Sequence, residues 1–94
     1  MTQDEVDDLS GRMAAFQELL AVLFMERFAA TDAGTARSEV EQIVNAPKSL
    51  AQGAGLMDAE RLQSIAQTVA STQLLVLQDA LRRADALRAF RRGG

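Results

Sequence analysis

Chemistry in this sequence rests on carboxylates, arginines, one lysine, hydroxyls and amides. Histidine and cysteine are both absent. Their absence removes Ser-His-Asp and Cys-His catalysis, thiolate nucleophiles, disulfides, haem ligation by either residue and the usual zinc sites. Tyrosine and tryptophan are absent as well, so stacking on nucleic-acid bases would fall to four phenylalanines. The sequence nominates no catalytic, cofactor-binding or metal-binding residue.

Two constellations compete with that reading. The first is the set of carboxylates Glu18, Glu26, Glu39, Glu41, Glu60, Asp79 and Asp85. A di-metal site in a helical bundle needs Glu-x-x-His motifs as well as Glu, and there is no histidine. Glu26 follows an apolar run and sits near the expected buried side of its helix. Neighbouring residues on a helix diverge by ~100°, so Glu26 and Arg27 do not face one another. Ordinary ion pairs are the plainer role for these acids. The second constellation is the basic tail, Arg82, Arg83, Arg88, Arg91 and Arg92. Such a run can grip phosphate on a nucleic acid or an anionic membrane surface. It also complements the negative end of a helix dipole. The net charge is −3 and no aromatic residues interleave, so nucleic acid ranks third among the partners.

Two smaller features carry less. Gly53-Ala54-Gly55 has no strand before it and no Gly-Lys-Ser/Thr spacing, and reads as a connector. Met13, Met25 and Met57 accompany Phe16, Phe24 and Phe28, a mixture that suits either a core or an adaptable binding face. Convergence of two or more of Glu26, Arg27, Arg61 and Gln73 in one pocket would favour a small-ligand binder or enzyme.

The elements that would position these groups are all helical. The single proline and most of the six glycines punctuate long runs of helix-forming residues. A first helix is expected over about 2–33. Thr2 and Glu5 match a capping box, Met1 and Val6 a hydrophobic staple, and Gly34 the residue after its end. Ser10 is a rival start. Its apolar positions Val6, Leu9, Met13, Phe16, Leu20 and Leu23 are spaced 3, 4, 3, 4, 3, a heptad-like seam. A second helix fits about 36–46, capped by Thr35 or Ser38, with Val40, Ile43 and Val44 on one face and Pro47 as its stop. Residues 47–57 read as a loop. A third helix runs over about 58–91 behind an Asp58 cap and a Met57–Leu62 staple, its inner stripe including Leu62, Val69, Gln73, Leu77, Ala80 and Ala84.

Two stretches are apolar around the whole helix, Leu19–Met25 and Leu74–Leu77. A helix of that kind must be covered on all sides. One short and two long helices cannot do so, and exposed patches of that size mark interfaces. The expected architecture is therefore an all-α bundle completed by dimerisation, with Leu20, Leu23, Phe24, Phe28, Leu74, Leu75 and Leu77 at the interface. A monomer with a shallow groove is the alternative. The longest apolar run has seven residues against the ~20 that cross a bilayer, and the acidic start is unlike a targeting signal, so a cytoplasmic location is expected.

Direction is set by charge in this reading. Residues 1–8 hold Asp4, Glu5, Asp7 and Asp8 with no basic residue, and residues 79–94 hold five arginines against two aspartates. Antiparallel first and third helices would lay acid beside base. The functional expectation is a small non-catalytic protein–protein interaction or regulatory module that pairs with itself.

Overall fold

The computed structural model describes residues 1–48 and 58–93. They form three helices, α1 (Gln3–Ala29), α2 (Ala33–Asn45) and α3 (Ala59–Gly93), and no strand. The fold is all-α. Of the expected loop over 47–57, residues 49–57, with Gly53 and Gly55, lie outside the described residues, as does Met57 of the expected Met57–Leu62 staple.

Local chemistry sets each boundary. Thr2 caps α1, its hydroxyl accepting from the Glu5 amide at 3.2 Å. The staple beside it is not made, because Met1 is 86% exposed. The rival start at Ser10 lies inside the continuous helix. At the other end α1 stops at Ala29, short of the expected residue 33, and Gly34 does not follow it. The reason is Asp32. Its carboxylate accepts from the Thr35 amide at 2.8 Å and the Thr35 hydroxyl at 2.7 Å. This double bond to the incoming first turn starts α2 at Ala33 rather than 36, and places Gly34 inside that helix. Asp58 caps α3, accepting from the Arg61 amide at 2.7 Å.

The first and third helices are parallel, which corrects the antiparallel expectation. Glu18 pairs with Arg83 at 2.8 Å and Glu26 with Arg91 at 4.0 Å, so eight residues forward on α1 is eight forward on α3. α2 runs against both. Its Arg27–Glu39 contact to α1 and its Arg37–Asp85 and Lys48–Gln73 contacts to α3 progress in opposite senses. The physical cause is connectivity. Three residues, Ala30–Asp32, separate α1 from α2 and reverse the chain; the return into α3 reverses it again. Two reversals make α1 and α3 parallel. Exposed charges contribute ~0–1 kcal/mol a pair, too little to override a tight turn.

Parallel packing puts the carbonyl ends of α1 and α3 side by side. Two negative dipole ends then coincide, and the arginine tail serves both. Arg88 donates from Nε to the Thr31 carbonyl at 3.2 Å, from a terminal nitrogen to the Phe28 carbonyl, and to Asp85 at 2.7 Å.

The core is small. Phe28, Ala36, Val40, Leu77, Ala80 and Ala84 form one buried cluster, with Ala21 buried beside it on α1. Alanines at the crossings let the helix backbones approach closely, with Phe28 filling the space between them. At 1.5 Å per residue α1 is ~40 Å long, α3 ~52 Å and α2 ~20 Å. α2 therefore covers only the C-terminal parts of its neighbours. The radius of gyration is 16.5 Å, against ~12 Å for a compact chain of this length.

Candidate interaction surface

α1 carries two faces. Ala21 and Phe28, with half-buried Gln17, turn inward. Taken at 100° per residue, the mean direction of Val6, Leu9, Met13, Phe16, Leu20 and Leu23 lies about 90° from that face. The consequence is visible in exposure: these six side chains are 39–66% exposed. The seam is therefore not consumed by packing within the chain. The inner face pairs the small Ala21 with the large Phe28, while the six seam residues stay exposed.

The residues expected at an interface divide. Leu20, Leu23, Leu74 and Leu75 are exposed, Leu23 at 66% and Leu75 at 65%. Phe24 is half-buried, its ring 5.5 Å from that of Phe28. Phe28 and Leu77 are corrected. They are 0% and 3% exposed and belong to the core of the single chain. Three helices converge on them, and α2 supplies Ala36 and Val40 as cover. Val6, Leu9, Met13 and Phe16 carry the same heptad spacing and are exposed as well.

An apolar hollow opens beside the seam. It has a volume of about 410 Å³ and lies between Phe16, Leu20 and Phe24 of α1, Ile43 of α2, and Val69 and Val76 of α3. Thr68 and Thr72 also line it, but their hydroxyls donate to the Ser64 and Thr68 carbonyls at 3.2 and 2.8 Å. Bonding back into the helix leaves little polarity facing the hollow. Gln73 at its edge accepts from Lys48 Nζ, which also donates to the Ile43 and Val44 carbonyls at 3.0 and 2.9 Å. Lys48 thus closes the C-terminal end of α2 and ties it to α3. A second, polar hollow of about 400 Å³ includes Gln17, Glu18, Gln78, Asp79 and Arg82.

Several charged groups are paired with one another. Arg83 holds both Glu18 oxygens at 2.8 Å and Asp79 at 3.0 Å. Arg27 holds both Glu39 oxygens at 3.0 Å. Arg82 pairs with Asp79, and Arg37 lies 3.9 Å from Asp85. The hydrogen bonds from Arg83 hold Glu18 below its ordinary pKa of 4.5, and those from Arg27 do the same for Glu39. Asp32 sits below its ordinary 3.8 because the Thr35 amide and hydroxyl donate to it. Carboxylates whose folded pKa is depressed stabilise the fold above their ordinary pKa, and that stability is lost as pH falls through the folded values. Melting temperature is therefore expected to drop as pH is lowered below about 4.5. Glu18→Gln and Glu39→Gln together should flatten that drop; an unchanged acid slope in the double variant would refute these assignments.

Glu26, Arg27, Arg61 and Gln73 do not share a pocket. Glu26 points to Arg91, Arg27 to Glu39 beside a small hollow, and Gln73 lines the apolar one. Arg61 is exposed in the first turn of α3. Among the described residues, no group of three acidic side chains is placed to hold a metal ion, and no helix is long and apolar enough to cross a membrane. Comparison with family models, curated proteins and solved structures gave no match.

Proposed function

We propose that this chain is a non-catalytic helical interaction module that works as a homodimer. One observation carries the reading: too much surface for its mass, much of it apolar. The chain exposes 6953 Å². A compact monomer of 10.2 kDa exposes ~5,300 Å², so the surplus is roughly 1,600 Å². A standard protein interface covers about 800 Å² per partner, and an obligate homodimer covers about 1,000 Å² or more. The surplus is enough for either. Exposed Leu9, Leu20 and Leu23, with Met13 and Phe16, lie on α1, whose N-terminal part α2 leaves uncovered. Glu18, Glu26, Glu39, Asp79 and Asp85 are each paired with an arginine, which weighs toward binding over chemistry. We place the module in the cytoplasm as part of the same reading.

Melting followed over a range of concentrations tests the reading. If folding is coupled to association, melting temperature rises with protein concentration. A melting temperature that stays constant from micromolar to hundreds of micromolar would count against a homodimer.

A further inference from the structure

We infer that the second copy docks antiparallel along α1, with the two-fold axis passing between Met13 and Phe16. The inference rests on the homodimer reading and specifies its surface, direction and register.

The spacing of the exposed seam is the same read forwards and backwards. In an antiparallel pair centred between Met13 and Phe16, Val6 meets Leu23 of the second copy, Leu9 meets Leu20, and Met13 meets Phe16. Two-fold symmetry repeats each contact, giving six apolar pairs over ~26 Å of helix. Every member of those pairs is exposed in the single chain. Phe16 and Leu20 also form one wall of the apolar hollow, so the incoming helix lies along its edge.

Charge separates this arrangement from a parallel one. A parallel pair would bring Asp4, Glu5, Asp7 and Asp8 of both copies together. The antiparallel register carries those acids to the level of residues 21–25 of the second copy. Near that end Arg27, 63% exposed at its side chain, lies close to the seam direction on the helical wheel. Exposed pairs add little affinity, but complementary charge selects orientation. Within one chain the tight turn fixed direction before charge could. No connection links two copies, so charge is free to act. The arrangement also sets the thin end of each copy, which α2 does not cover, beside the thicker end of the other.

The test uses full-length chains carrying one cysteine each, on a background with none. Val6→Cys and Leu23→Cys proteins are treated with a short bismaleimide, separately and after mixing, and their masses in solution are measured in parallel. Dimeric mass with a crosslinked band at twice the chain mass in the mixture, and little in either protein alone, supports the register. Crosslinking of the Val6→Cys protein with itself means parallel helices and overturns the inference while leaving the homodimer standing. Dimeric mass with no crosslink in any sample places the interface elsewhere and overturns it too. Monomeric mass in both variants and in the unaltered chain overturns the homodimer reading itself. Leu9→Cys with Leu20→Cys, three residues further in on each helix, must give the same pattern as the outer pair.

Discussion

Leu20→Glu is expected to leave the single chain helical and to break its association. Leu20 is 47% exposed within the chain, at the wall of the apolar hollow. A glutamate there stays hydrated in the monomer, so the three-helix core is untouched. Between two copies it would put an unpaired charge against Leu9 of the partner. Two-fold symmetry makes this happen twice. Taking a hot-spot magnitude of about 2 kcal/mol for each, the pair costs about 4 kcal/mol, roughly a thousandfold in Kd. Leu23→Glu, at 66% exposure, should act in the same way. Analytical ultracentrifugation gives the mass and circular dichroism the helix content. Unaltered association in both variants would show that the seam is not the contact.

Phe28→Ala should damage the fold itself. Phe28 is 0% exposed, and Ala36, Val40, Leu77, Ala80 and Ala84 share its cluster. Removing a buried aromatic ring costs about 3–5 kcal/mol when the cavity cannot collapse. Alanine neighbours have no side chain long enough to fill it. Domains of this length have total stabilities of about 5–14 kcal/mol, so a large share is lost. The expected result is a melting temperature lowered by more than ten degrees, at about 4–8 °C per kcal/mol. Phe28→Leu keeps most of the volume and should lose far less. Equal, small losses in both variants would mean that Phe28 is not the centre of the core.

Most of the secondary structure was legible because it depends on local chemistry. Thr2 and Asp58 cap where their spacing placed them. The boundary between α1 and α2 was misread because Gly34 looked like a helix terminator, while Asp32 offered two bonds to Thr35 and won. Direction was misread for a different reason. Acid beside base is a weak and long-range preference, whereas the three-residue turn at Ala30–Asp32 forces reversal. That turn was hidden by placing the end of α1 four residues late.

The interface residues show the same division. An apolar run tells that a helix needs cover, but not which of its residues the chain covers by itself. Leu19–Met25 contains buried Ala21 and exposed Leu23 side by side. Phe28 and Leu77 could be assigned to the core only once α2 was known to lie over them. The seam from Val6 to Leu23 was visible as a pattern. Its exposure depends on α1 turning the Ala21–Phe28 face, about 90° away, toward α3.

Sedimentation equilibrium of the unaltered chain at tens of micromolar bears most directly on the claim that a second copy covers α1. The chain mass is 10.2 kDa. A homodimer gives a weight-average mass of twice that value, falling toward the chain mass on dilution through Kd. A mass of 10.2 kDa throughout that range would contradict the account.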